Sequence, residues 1–193
     1  MQEQIVSKAV SVLKSDGVII HPTDTCYGLA CSIFSEKGLE HLYDLKHMPR
    51  EKPISILVSS IEQAKEYGEW NDLAETLANA YWPGPLTIVL KRTEKLPVFI
   101  NPSIDSVGIR FPDHEVTHAL IEQLGHPITT TSANISGEPE PYLIESLKIT
   151  PDFLIDGSAL RYQKASTVVD ISKGEIHILR RGPIDLEEGS STT

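Results

Sequence analysis

Apolar residues fall into two patterns along this chain: helical stripes and short continuous runs. Near the N-terminus, apolar positions from Ile5 to Leu13 recur at helical spacing, Gly17 ends the segment, and an apolar run covers 18–20. The pattern predicts a helix followed by a buried strand. The same criteria predict further strands at 29–33, 54–58, 86–90, 107–110, 128–131, 153–155, 167–171 and 176–179, and helices near 39–46, 60–67, 72–82, 113–124 and 142–148.

Strands and helices therefore alternate, without an internal repeat and without a linker that would split the chain. This arrangement is typical of an α/β domain built on a mixed sheet with flanking helices. Asp113 is predicted to be the N-cap of the helix that ends at Gly125. The polar segment 187–193 has nothing to bury, so we predict a domain at 1–186 and a frayed tail at 187–193.

Composition and charge narrow the functional classes. The chain has 193 residues, 40% of them hydrophobic, which is enough for one core without disulfides or metals. Its formal net charge of −10 argues against a general nucleic-acid binder, so DNA is not an expected partner. The sequence has no apolar run of membrane-spanning length, and a cytoplasmic protein is expected. Cys26 and Cys31 suggest neither a disulfide nor a metal pair.

Five segments place hydroxyl, amide and cationic side chains at strand ends or in loops, where binding groups are commonly presented. Each alone is compatible with ordinary turn chemistry, but together they could surround a phosphate group. The sequence contains neither a P-loop nor a dinucleotide-binding motif. The five segments are Pro22–Gly28, Lys46–Pro53, Trp82–Thr87, Thr131–Gly137, and Ser166–Asp170 with Leu179–Gly182.

One motif indicates a different chemistry. The segment from His114 to His118 fits H-E-x-x-H, which on a helix directs two imidazoles at one zinc ion. Only Glu138 or Glu140 could be proposed as a third ligand, and both lie in a Gly/Pro loop. A zinc hydrolase is therefore the weakest of the alternatives, and no protein-bound metal is expected.

The ordered segments resemble the YrdC/Sua5/YciO family. The motifs are P-T-D-T-x-Y-G-L, L-K-x-x-P-x-x-K-P, W-P-G-P-L-T, V-G-I-R-x-P, T-S-A-N-x-S-G, S-T-V-V-D and L-R-x-G, between about residues 5 and 184. The resemblance, to the short single-domain form, implies a twisted mixed sheet with a concave ligand cavity. It also implies a threonylcarbamoyl-AMP synthase, which joins L-threonine, bicarbonate and ATP, supplied with Mg²⁺, and releases pyrophosphate. The product would serve tRNA N6-threonylcarbamoyladenosine formation, with tRNA or a threonylcarbamoyl-transferase as partner.

The same resemblance implies roles for particular residues. Thr23, Thr25 and Tyr27 would face threonine, and Lys46 and Arg180 would act on the reacting phosphates. Thr87 and Arg110 would lie near the cavity wall. The nucleotide would contact Lys46, Arg50, Thr131, Ser132, Asn134, Ser136, Ser166 and Arg180.

This chain departs from the family pattern at Met48, where the synthases usually carry an arginine. We expect Arg50 to compensate at least in part, because Pro49 stiffens the loop and Lys52 keeps it cationic. The departure also leaves a second hypothesis open. A YciO-like paralogue would bind nucleotide or RNA in the same cavity with weak or no synthase activity.

Overall fold

The computed structural model describes residues 2–158, 160 and 164–189. The helices are α1 (Gln2–Lys14), α2 (Glu36–Lys46), α3 (Ile61–Tyr67), α4 (Asp72–Tyr81) and α5 (Glu115–Leu124), with one 3₁₀ turn at Ile144–Ser146. The strands are β1 (Ile19–His21), β2 (Gly28–Ala30), β3 (Ser55–Leu57), β4 (Leu86–Lys91), β5 (Ser106–Arg110), β6 (Ile128–Ser132), β7 (Phe153–Leu154), β8 (Thr167–Asp170) and β9 (His177–Arg180). None of the helices described is long and apolar enough to cross a membrane.

These strands form one twisted mixed sheet in the order β7-β1-β2-β6-β3-β5-β4-β8-β9. The pairs β1–β7, β3–β5 and β4–β8 are parallel, and the other neighbours are antiparallel. The predicted α/β class with a mixed sheet and flanking helices is thereby confirmed. Because few neighbours in the sheet are consecutive in sequence, the chain crosses the sheet repeatedly and brings distant loops to the same place.

Alternating residues of the strands divide the core into two hydrophobic clusters. Ile19 packs in a cluster with α1 and α5, whereas Ile20 packs in a larger cluster with α2, α3 and α4. Leu57 and Ile56 of β3 divide in the same way. Successive strand side chains point to opposite faces of a sheet, so helices cover both faces. This explains why the strand segments are continuously apolar in the sequence.

Several local predictions are confirmed and others need correction. Gly125 ends α5 in the left-handed conformation, with φ of 85°, as its position predicted. Asp113 is not the N-cap: His114 occupies that position and makes no capping bond through its side chain. The helix predicted near 142–148 is a single 3₁₀ turn, because Pro141 and Pro151 leave a short segment whose Leu143 is exposed. The predicted boundary at 186 stays a prediction, since 190–193 lie outside the described residues.

Candidate active site

A cavity of about 360 Å³ is lined by residues that come from distant parts of the chain. Its walls come from the turn between β1 and β2, the end of α2 and the loop after it, strands β3, β4 and β5, the β6 strand and following loop, and strands β8 and β9. Most of the predicted site residues meet here. The cavity is lined by Thr23, Thr25, Lys46, Thr131, Ser132, Asn134, Ser136, Ser166 and Arg180, and also by Thr87 and Arg110.

Lys46, the last residue of α2, connects that helix to the loop after β6. Its Nζ donates to the carbonyl oxygens of Ser132, at 2.5 Å, and Asn134, at 2.7 Å. The amide of Ser136 in turn donates to the Lys46 carbonyl at 2.9 Å. Burial, with a smaller contribution from the positive charge of Lys52, lowers the pKa of Lys46 to about 8. Lys46 therefore supplies a charge to the cavity that is lost just above neutral pH.

The loop after β6 is held by its own side chains. The Ser132 hydroxyl donates to Asn134 Oδ1, and Asn134 Nδ2 donates to the Glu138 carbonyl at 2.5 Å. The amide of Ala133 donates to the Tyr27 carbonyl at 2.8 Å, which ties the loop to β2. The hydroxyls and amide of this segment are thus fixed against the cavity before any ligand enters, which reduces the entropy cost of binding.

A buried ion pair organises the opposite wall. Arg110, at the end of β5, and Asp24 form a salt bridge with only 7% and 8% of their side chains exposed. Arg110 Nη1 also donates to Thr25 Oγ1 at 3.0 Å, and its Nε donates to the Gly84 carbonyl at 3.1 Å. A guanidinium has five N–H donors, and three of them are used in these contacts. Asp24 is a site residue that the sequence analysis did not single out.

The turn that carries Thr23 and Thr25 is closed by hydrogen bonds among its own atoms. Thr23 Oγ1 donates to the Cys26 carbonyl at 2.6 Å and accepts from the Thr25 amide at 3.1 Å. The two threonine hydroxyl oxygens are 3.1 Å apart. Both hydroxyls therefore stand side by side at the cavity wall, beside the Arg110 guanidinium.

A third group joins strands β4, β8 and β9. Thr87 Oγ1 and Ser166 Oγ are 2.8 Å apart, and Arg180 Nη2 donates to the same Ser166 oxygen at 3.0 Å. Arg180 Nε donates to the Ser166 carbonyl at 2.9 Å. The β4–β8 and β8–β9 pairs set this arrangement, because they place the three side chains at the same end of neighbouring strands.

Two predicted site residues do not line the cavity. Tyr27 is fully buried, and its hydroxyl donates to the Ser158 carbonyl at 2.8 Å and accepts from the Gly157 amide at 3.0 Å. Arg50 pairs with Asp44 at 2.9 Å on the outer side of α2. The expectation that Arg50 compensates for Met48 is therefore not supported by its position.

Lys52 is the cation that stands in the cavity beside Met48. Both residues line the cavity, and Lys52 Nζ is 3.5 Å from Ser136 Oγ. Met48 follows His47, whose left-handed conformation, with φ of 51°, ends α2 and turns the chain inward. The second lysine of the L-K-x-x-P-x-x-K-P motif was the signal in the sequence that could have identified Lys52.

The H-E-x-x-H segment does not form a zinc site in this structure. His114 is the N-cap and has an extended backbone, with φ of −151°, so its side chain does not project from the helix as that of a helical residue would. His118 Nε2 is 2.5 Å from the Pro112 carbonyl oxygen, and its ring packs against Phe111. Within the described residues, no three His, Cys, Asp or Glu side chains are arranged to hold a metal ion.

Comparisons with known proteins agree with this arrangement. A family model for Sua5/YciO/YrdC proteins, described as "Telomere recombination", matches residues 11–182. A protein of Pyrococcus abyssi named threonylcarbamoyl-AMP synthase is 35% identical over 97% of this chain, which spans 57% of that protein. A Klebsiella pneumoniae protein of the same name is 30% identical over 91% of this chain and 96% of its own length.

Solved structures show the same fold. Pyrococcus abyssi Sua5 in complex with L-threonine has a TM-score of 0.87 at 34% identity, over 93% of this chain and 54% of that one. Escherichia coli YciO has a TM-score of 0.86 at 26% identity, over 95% of this chain and 91% of that one. The family model, the identities and the shared fold lead to one conclusion: the chain belongs to the Sua5/YciO/YrdC family.

Proposed function

We propose that this protein is a threonylcarbamoyl-AMP synthase. The observation that carries the proposal is the convergence of the Thr23–Thr25 turn, four cations and the loop after β6 on a single cavity. The named synthases among its relatives and the complex of one of them with L-threonine support the same activity. The four cations are Lys46, Lys52, Arg110 and Arg180.

The arrangement suits adenylyl transfer. The α-ammonium group of threonine loses a proton, and the free amine adds to CO₂, or to bicarbonate with loss of water, to give a carbamate. The carbamate oxygen attacks the α-phosphorus of ATP while pyrophosphate leaves. Such a step needs positioning and charge stabilisation rather than a protein nucleophile. Lys46, Lys52 and Arg180 would stabilise the phosphates, and the fixed hydroxyls of Ser132 and Ser166 would orient the nucleotide. Mg²⁺ would enter with ATP as part of the nucleotide substrate.

The wider roles of the protein are proposed on the same basis. The threonylcarbamoyl adenylate would be consumed in forming N6-threonylcarbamoyladenosine in tRNA, through a threonylcarbamoyl-transferase partner, in the cytoplasm. The net charge of −10 fits a protein that binds a small anion in a local basic cavity and leaves the polyanion to its partner.

One observation favours a second candidate. Met48, a thioether, lines the cavity where the synthases usually carry an arginine, and the chain resembles Escherichia coli YciO over nearly the whole length of both. A paralogue that binds nucleotide or RNA but makes the adenylate poorly would have this cavity too. Turnover distinguishes the two candidates, because both would bind ATP.

The deciding experiment measures pyrophosphate release by the purified protein with ATP and Mg²⁺. We expect release only when L-threonine and bicarbonate are both present, together with a new AMP-containing product of the mass of threonylcarbamoyl adenylate. Omitting either substrate, or replacing L-threonine with D-threonine, provides the controls. Release that does not depend on threonine, or ATP binding without any release, would overturn the synthase proposal, and the second result would favour the paralogue.

Exchanging Lys52 for alanine is expected to weaken ATP binding about tenfold, the scale of one lost charge-assisted hydrogen bond. The Arg50→Ala variant is the matched control, since it removes the same charge two positions away but outside the cavity, and should change the affinity less than about twofold. Calorimetric titration with ATP measures the dissociation constants of both variants. Equal losses in the two variants would mean that the effect is general electrostatic attraction, not a contact in the cavity.

A further inference from the structure

Glu140 is an anionic side chain in a cavity whose other charged groups are mostly cations. Both Glu138 and Glu140 line it, but the Glu138 carboxylate pairs with Lys148, with both oxygens 3.0 Å from Nζ. Glu140 forms no ion pair or side-chain hydrogen bond with any residue that the structure describes. Glu140 as a whole is half-buried at the cavity wall.

The backbone holds Glu140 in this position. Pro139 and Pro141 flank it, and each proline fixes its own φ and restricts the residue before it. The Pro141 carbonyl accepts a hydrogen bond from the Tyr27 amide at 3.0 Å, at the start of β2. The backbone next to Glu140 is thus fixed to the end of the turn that carries Thr23 and Thr25.

The electrostatic surroundings place the carboxylate close to several walls of the cavity. Burial lowers the pKa of Lys46 and Arg180 and raises the pKa of Cys26 and Tyr142. The negative charge of Glu140 acts on all four groups, which come from α2, β9, the β1–β2 turn and the loop after β6, and it favours the protonated form of each. A carboxylate here opposes the binding of phosphate groups, because like charges repel more strongly in a partly desolvated site. Its presence in a nucleotide cavity therefore calls for a cationic ligand group.

An amino acid carries a cationic α-ammonium group, and it also carries a carboxylate that an arginine can bind. Arg110 stands beside the Thr23 and Thr25 hydroxyls, and Glu140 lines the same cavity from the loop after β6. We propose that Glu140 binds the α-ammonium group of the amino-acid substrate while Arg110 binds its carboxylate. This inference rests on the proposed function, since it assigns a residue to the threonine of that reaction.

The test replaces Glu140 with glutamine, which keeps the shape and removes the charge. Affinities are measured by calorimetry for L-threonine, for 2,3-dihydroxybutyrate, in which a hydroxyl replaces the amine, and for ATP. The native protein should prefer L-threonine at least about tenfold over the hydroxy acid. The Glu140→Gln variant should lose most of that preference, bind L-threonine about tenfold more weakly, and bind ATP as tightly as before or more tightly.

Two further variants complete the design. Glu145→Gln makes the same change of charge on the exposed 3₁₀ turn, outside the cavity, and should retain the native preference. Glu140→Asp keeps the charge on a shorter side chain, and this variant should retain part of the preference for L-threonine. If the glutamine variant does not fold, a native preference for L-threonine that falls in the aspartate variant supports the inference, and an unchanged preference overturns it.

The other outcomes are equally informative. An unchanged preference for L-threonine in Glu140→Gln overturns the inference. So does a higher Mg²⁺ requirement with unchanged threonine affinity, which would make Glu140 a ligand of the nucleotide's metal. Neither result affects the proposed function while the native protein still releases pyrophosphate in a threonine-dependent reaction. Loss of that reaction in the native protein would instead overturn the proposed function itself.

Discussion

Replacing Arg110 with methionine is expected to lower the free energy of unfolding by about 3–5 kcal/mol. The variant leaves the Asp24 carboxylate in a site where only 8% of its side chain is exposed, with no cation to compensate the lost hydration. It also removes two hydrogen bonds that Arg110 donates from β5, one to Thr25 in the β1–β2 turn and one to Gly84 in the loop before β4. A chain of this size should melt at a temperature about 6–20 °C lower.

Urea denaturation of four proteins measures this effect. They are the native protein, Arg110→Met, Asp24→Asn, and the double variant that removes both charges. The double variant should be more stable than Arg110→Met alone, because an unpaired buried charge costs more than an absent pair. Lys95→Met breaks the exposed pair with Glu66 and should cost at most about 1 kcal/mol. If Arg110→Met lowered the free energy of unfolding by no more than Lys95→Met does, the role assigned to the buried pair would be contradicted.

The affinity for ATP is expected to fall as the pH rises through about 8, the value to which burial lowers the pKa of Lys46. Below that pH the ammonium group is charged and attracts phosphate, and above it the group becomes neutral. Bound phosphate raises the pKa of Lys46, so the dissociation constant for ATP should increase by up to about tenfold per pH unit between the pKa of the free protein and that of the complex.

The free energy of unfolding should change with pH in the opposite direction from the affinity for ATP. Because the folded pKa lies below the ordinary 10.5, stability should rise from pH 8 towards 10.5 as the buried charge is lost.

Calorimetric titration with ATP between about pH 7 and 9.5 tests this prediction. Lys46→Arg should weaken the pH dependence, since a guanidinium stays charged throughout that range. Lys46→Met should bind ATP about 10- to 100-fold more weakly at pH 7, having lost both the charge and the bonds to the loop after β6. The same pH dependence in the native protein and in Lys46→Arg would show that another group is responsible.

The fold was largely predictable because its signals are local. The helical stripe that ends at Leu13 and the continuously apolar strands reflect burial by helices on both faces of the sheet. The errors arose where local preference competes with surroundings. Asp113 is a good capping residue, but the helix begins two positions later. The segment near 142–148 has a helical pattern too short to bury a face.

The cavity residues were predictable where a motif identifies a loop, but the direction of each side chain was not. Tyr27 lies between Cys26 and Gly28, which both line the cavity, and the alternation of an extended chain turns Tyr27 away from them. Arg50 and Lys52 are two positions apart in a loop whose path depends on the left-handed turn at His47. Asp24 and Glu140 acquire their roles only when distant segments meet, which no local pattern records.

The strand order of the sheet also has a consequence for how the protein folds. Lys46 and Ser132 are 86 positions apart in the sequence, and Arg110 and Thr25 are 85 apart, yet these pairs form the walls of one cavity. Closing such long loops costs entropy before any contact repays it, and chains dominated by non-local pairings fold slowly. The cavity therefore cannot form before these distant segments have met. A nascent or partly unfolded chain has no smaller version of this cavity.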